Sequence, residues 1–400
     1  MSLFQFELRK LFFNRRNIIM LFFLIVIYGA IGFGTTYFLV GDKANYQIYA
    51  KLAAPLVGPI NQQKAEEARI VYEGLKERYG DNEEAIYYGT SSDPIAKFNV
   101  DYAHFANHVD EYYNGSPMDS LGEPYGINVL SKKLASLGQA GENDSFEYWK
   151  TQNQLRIEQQ LGEPHFANTV LWDNLFKNWG DFVMLFLLFV PLAFIIAPVF
   201  SVEASTGMDN LILSSRNGRE KIVTAKIVAV VVTAVCIIAA YLTATFVFGF
   251  LSVGTFEGGR AALRSIPSYV RAPFGFTNWQ FTLVSITWLL VSGVVYASIV
   301  AFVSSRTANL LVAFGVSLIV LFLNIALSAL GTTISRMIQP IIDFSMGAIT
   351  LTGEVFVTYK VYNVFGTVVP YWFMIAMFMV LITALVGVGM YLGQRRRTAP

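Results

Sequence analysis

The sequence predicts an all-α integral membrane protein. It would have six transmembrane helices, an N-terminal interfacial helix, and a mainly helical extracytoplasmic domain between helices 1 and 2. Three observations lead there. Of the 400 residues, 54% are hydrophobic and only 14% charged, against roughly 25% charged in ordinary soluble domains. The mean hydropathy is +0.48. Six runs are apolar and long enough for a bilayer core of about 30 Å, which takes about 20 helical residues to cross.

The segment SLFQFELRKLFFNRRN covers residues 2–17, and the interfacial helix is expected within residues 1–16. Leu3, Phe4, Phe6, Leu8, Leu11, Phe12 and Phe13 form a broad apolar helical face, interspersed with Glu7, Arg9, Lys10, Arg15 and Arg16. Such a helix lies along the inner leaflet with its basic groups on anionic lipid, or simply anchors the span that follows. Residues 17–40 hold the first span. No small-residue cleavage site follows it, so it reads as an anchor and not as a signal peptide.

Residues 41–178 carry 20 acidic and 12 basic side chains. Helix formers run from Asn61 to a capping Gly80, Pro94 sits just inside a second helical pattern, and a third runs from Ser145 to Gly162. His104 and His108 share a helix face, but without a third ligand they read as packed or solvated histidines, and no metal is expected. The single cysteine, Cys236, lies in an apolar run, so this outer region folds without disulfides. Within residues 179–400 the remaining spans fall near 180–200, 221–253, 280–302, 308–330 and 370–392.

Charge orients the bundle. One face collects twelve basic residues, from both termini, the connector after span two and Arg306; the other face has five in its two short connectors. Arg260, Arg264 and Arg271 in the third connector weigh mildly the other way. The positive-inside rule then places both termini in the cytoplasm.

Much familiar chemistry is missing. There is no P-loop, HExxH, GxSxG or CxxC, and the net charge of +1 offers no field for nucleic acid. Apart from Asn324 and scattered Ser and Thr, the span midplanes are apolar, whereas ion-coupled carriers place carboxylates there. Energy for any transport would come from another chain.

The connector FSVEASTGMDNLILSSRNGREKIVTAKI is too polar for a plain turn. A short helix near 201–215 would offer Met208, Leu211 and Ile212 as an apolar patch rimmed by charge, which suits docking. Glu203 either makes a polar contact there or pairs with Arg216 or Arg219.

At these residues the chain resembles the permease subunits of type 2 ABC transporters. Glu203-Ala-Ser-Thr-Gly207, then Leu211 to Ser214, then Arg216, Arg219 and Lys226, is similar to the family's pattern E-x3-G-x4-L-x2-S, with basic residues leading into span three. FELRKLFFNRRNIIMLFF is similar to its elbow helix. The resemblance implies that Glu203, Gly207, Met208, Asp209, Leu211, Ile212 and Ser214 form a coupling helix seated on a cytoplasmic ABC ATPase subunit. It implies ATP and Mg on that partner and no cofactor on this chain, a second permease subunit, contact with membrane lipid, and a bacterial cell membrane as location. Residues 333–349, broken at Pro340, would dip back as re-entrant helices or rest on the outer surface. The function so implied is ATP-driven export of an amphipathic, peptide-like or lipid-like substrate. A membrane-anchored sensor or assembly protein, with a ligand-binding outer domain and a cytoplasmic docking loop, is the alternative.

Overall fold

A computed structural model describes residues 2–40, 42–60, 62–79, 93–114, 125–208, 221–330 and 337–395. The first helix, α1 (Leu3–Phe12), starts on a capping box. Ser2 Oγ accepts from the Gln5 N–H at 3.2 Å and the Gln5 side chain accepts from the Ser2 N–H at 3.0 Å, so two donors left open at a helix start are satisfied. After an elbow at Phe13 and Asn14 comes α2 (Arg15–Val40). Asn17 Nδ2 donates to the Leu11 carbonyl at 2.7 Å and pins that elbow.

The outer region is helical: α3 (Lys43–Ala53), α4 (Gln62–Tyr79), α5 (Pro94–Asn114), α6 (Ile127–Gln139), α7 (Phe146–Leu161) and α8 (Val170–Gly180). The caps explain the starts. Asp42 accepts from the Asn45 N–H at 2.9 Å, Asp93 from those of Ile95 and Ala96, and Ser145 from that of Tyr148 at 3.1 Å. Two short strands, β1 (Gly58–Pro59) and β2 (His165–Phe166), pair antiparallel. Phe166 sits at the centre of an aromatic core, its ring 5.0 Å from Tyr102 and 5.6 Å from Phe105 between centroids. Trp172, Leu175, Phe176 and Trp179 of α8 are all buried, and Trp179 Nε1 donates to Thr245 Oγ1 at 2.9 Å. The last outer helix is therefore seated in the bundle.

Six helices are long and apolar enough to cross a membrane, as the sequence predicts. They are α2; α9 (Phe182–Ile196) with α10 (Pro198–Ser205); α11 (Val223–Val253); α12 (Asn278–Ser304); α13 (Leu310–Ser328); and α17 (Tyr371–Arg395). Span two is divided at Ala197 into two helical segments, where the sequence predicts one. Pro198 has no N–H to give the preceding turn, and its ring crowds the carbonyl that would accept it.

Buried rings with polar ends knit the bundle, each donating to a backbone acceptor. Tyr28 reaches the Leu187 carbonyl at 3.1 Å, Tyr241 that of Asn178 at 2.5 Å, and Tyr296 that of Ser317 at 3.2 Å. Between α2 and α11 the backbones come close. A Cβ on Gly32 would lie 3.1 Å from the Thr245 carbonyl oxygen, the small-residue contact typical of membrane helices.

Between spans five and six lie α14 (Gln339–Asp343), α15 (Met346–Thr350), α16 (Thr352–Phe356) and a hairpin of β3 (Val361–Val364) and β4 (Thr367–Pro370). Every residue of α15 is buried. Trp288 Nε1 donates to the Ile349 carbonyl at 2.8 Å. Trp288 lies ten residues into α12, about 15 Å at 1.5 Å per residue. This segment is packed between helices well inside their length, as a re-entrant turn would be, and does not rest on their ends. Residues 331–336, the start of the expected re-entrant stretch, lie outside the described residues.

Candidate functional site

The site is built around α10, whose sequence PVFSVEAS follows the break at Ala197 in span two. With no side chain of its own at the N-cap, α10 borrows one from α12. The Ser304 hydroxyl accepts from the N–H groups of Phe200 and Ser201, both at 3.1 Å, and donates to the Ala197 carbonyl at 2.6 Å. These amides are buried and would otherwise lack partners.

Lys226, in the first turn of α11, is 1% exposed. Its ammonium donates to the Val199 carbonyl at 2.8 Å and to Glu203 Oε2, and lies 4.8 Å over the Phe200 ring. The other Glu203 oxygen accepts from Lys10 Nζ of α1 at 2.5 Å. Glu7, also on α1, is buried within the field of Lys226 and Lys10. Burial pushes its carboxyl above the usual range, and the two lysines pull it part of the way back. Two acidic side chains thus face two ammonium groups. A buried ion pair repays its desolvation only when hydrogen bonds satisfy the remaining donors and acceptors, and the contacts to Val199 and Lys10 help to do so.

The result is a cross-braced joint. α10 is tied to α1 by Lys10, to α11 by Lys226 and to α12 by Ser304. A shift of α10 would carry those helices with it or break these polar contacts. Thr206 then closes the helix, and Gly207 turns the chain with φ +68°, a left-handed conformation that favours glycine. Among the described residues a Cβ on Gly207 would meet nothing within 4 Å, so the backbone conformation is the demand on glycine seen there. Met208 is 54% exposed.

Of the residues singled out from the sequence, Glu203, Gly207 and Met208 lie together at this joint. Asp209, Leu211, Ile212 and Ser214, with Arg216 and Arg219, lie outside the described residues. Arg9 and Arg15 are exposed, while the side chain of Arg16 is likewise outside the description. Lys10, read as a lipid anchor, makes an ion pair with Glu203. Glu7, Lys226 as the partner of Glu203, and Ser304 were not picked out from the sequence. Lys226 carried a signal, since a lone cation inside the apolar run VTAKIVAV needs a partner. Ser304 carried none. Among the described residues no group of three or more His, Cys, Asp or Glu is placed to hold a metal ion.

Residues 1–397 match a family model described as ABC-2 family transporter protein. No curated protein and no solved structure matches the chain.

Proposed function

The chain belongs to the ABC-2 transporter family, and from that premise we propose how this multi-pass permease is driven. ATP hydrolysis takes place on separate cytoplasmic ATPase subunits, which hold the ATP and Mg. Their closure pushes the connector that begins at Gly207. The permease works as a pair, identical or mixed, and exports an amphipathic, peptide-like or lipid-like substrate across a bacterial cell membrane, with both termini in the cytoplasm.

The observation that supports this most is the joint at α10. Conformational coupling needs a stiff element between the site of the push and the parts that move. α10 leads directly into the connector and is bonded to three other helices through Lys10, Lys226 and Ser304. On this reading Glu203 acts as a lock inside the permease, holding the connector's root to α1 and α11.

The test is purification of the tagged chain in mild detergent with the products of its neighbouring genes, followed by mass spectrometry and ATPase assay. A stoichiometric ABC ATPase is expected to co-purify. Glu203→Gln combined with Lys226→Met, which strands neither charge, should leave the complex assembled and lower its ATPase activity several-fold. A chain that purifies alone, or a complex whose activity ignores that double variant, would overturn the proposal. A kinase or cell-wall enzyme as partner would favour the sensor reading.

A further inference from the structure

A cleft of about 360 Å³ opens in the outer domain, between α5, α8 and the connector that joins spans three and four. That volume lies within the usual range for small-molecule sites, about 300–1,000 Å³. Two ion pairs of the same kind face into it. On α5, Lys97 donates to Asp101 at 2.5 Å; on α8, Lys177 donates to Asp173 at 2.6 Å. Each carboxylate is held by a second group from another segment. The Tyr49 hydroxyl donates to Asp101 Oδ2 at 3.1 Å, and that of Ser268 to Asp173 Oδ1 at 3.2 Å. Arg271 lines the same cleft, its guanidinium 4.9 Å over the Tyr125 ring.

Lys97 is only 2% exposed, and Asp101 is the partner that offsets the cost of burying its charge beside the cleft. Phe166, Val170 and Val270 supply an apolar wall. Among the described residues of the lining, Lys97, Lys177 and Arg271 stand beside two carboxylates, so groups of both signs face the cleft. We propose that this cleft binds a small zwitterion that carries an anionic oxygen group and an ammonium group on one compact, partly apolar molecule. The anionic group would lie towards Arg271 and Lys177, the ammonium towards Asp173 and Asp101, and the apolar part against Phe166.

That chemistry has two sources. One is a soluble amino acid or short peptide. The other is the headgroup of an ethanolamine phospholipid, since Lys177 lies five residues before Phe182, where α9 begins. The inference does not rest on coupling to an ATPase, and its test needs no ATP.

The full chain is placed in nanodiscs of phosphatidylglycerol alone and examined by native mass spectrometry. In one arm a pool of leucine- and phenylalanine-containing dipeptides with free termini is added, beside the same pool acetylated and amidated. In the other arm phosphatidylethanolamine is included, beside its N-acylated form. Retention of the free zwitterion and not of the blocked form, in either arm, supports the proposal and identifies the source. Arg271→Ala and Asp173→Asn should each weaken retention about tenfold or more, the loss of one charge-assisted contact. Thermal unfolding reports whether either variant is misfolded, and Lys177→Gln, at the exposed rim, then takes its place. Equal retention of free and blocked forms, no retention in both arms, or retention unaffected by the substitutions would overturn it.

Discussion

Lys226 and Glu203 stand 23 residues apart in sequence and are joined by an ion pair with side chains 2% and 11% exposed. The pair ties the first turn of span three to the end of span two, on either side of the most polar connector in the chain. A charge pair so placed has a large effect when one half is removed and a small one when both are replaced together.

Lys226→Met should destabilise the protein by about 3–5 kcal/mol, because it strands the Glu203 carboxylate among apolar groups. The double variant Lys226→Met/Glu203→Gln should recover most of that loss. Lys10→Ala, which removes a partner 37% exposed, should cost under about 1 kcal/mol. Unfolding in detergent micelles measures all three. A double variant no more stable than Lys226→Met would show that packing, and not charge, dominates at this position.

Ser304→Ala removes the acceptor shared by the amides of Phe200 and Ser201. A loss of about 1–2 kcal/mol is expected, as for other helix caps. Ser304→Thr, which keeps the hydroxyl, should retain most of the stability. Equal losses in the two variants would point to crowding at the site and not to the lost cap.

Arg264 and Glu158 form a buried pair at 2.8 Å, and Arg264 also reaches the hydroxyl of Tyr125 and the carbonyl of Val270. Burial pushes the Glu158 carboxyl above its usual range, and Arg264 pulls it part of the way back. Arg264→Met removes that pull, so the carboxyl rises further. A carboxyl raised in the folded state penalises the fold once the unfolded chain ionises. The penalty is absent below the unfolded value, grows as pH climbs from the unfolded value to the folded one, and is complete above it. The variant should therefore be about 3–5 kcal/mol less stable than the parent near neutral pH, with the gap narrowing towards about pH 5. A deficit independent of pH would refute this account of Glu158.

Gly347→Ala tests the turn that enters between spans four and five. Its Cβ would lie 2.2 Å from Asn324 Oδ1 and 2.4 Å from the Leu321 carbonyl oxygen. The second of these is backbone and cannot swing aside. Displacement of α15 and a loss of about 1–3 kcal/mol or more are expected. Labelling of a cysteine at Ser345, buried in the parent, should become faster with an impermeant thiol reagent. An unchanged labelling rate would mean that α15 is less tightly held than its contacts indicate.

Much of this was legible in the sequence. The spans could be read because crossing a bilayer is a local demand, met by about 20 consecutive apolar residues wherever they occur. The outer helices could be read from local chemistry as well, from caps at Ser145 and glycines such as Gly162 beyond the last turn. The same locality explains what was not picked out at the joint. Glu203 invited pairing with Arg216 or Arg219, its basic neighbours in the connector. Among the described residues its ion pairs are with Lys10, 193 positions away, and with Lys226. Nothing in the run AFVSSR marks Ser304 as the cap of a helix from another span.

The sequence by itself determined what each segment must be: apolar runs that have to be helical in a bilayer, and polar stretches that have to lie outside it. Only the tertiary structure decided which polar groups meet. A buried charge or amide is satisfied by whichever partner the packing of helices brings within about 3 Å, and that packing is a property of surfaces, not of neighbours in the chain. So Lys226 came to hold Glu203, Ser304 to cap Phe200, and the pairs Lys97–Asp101 and Lys177–Asp173 to face one cleft.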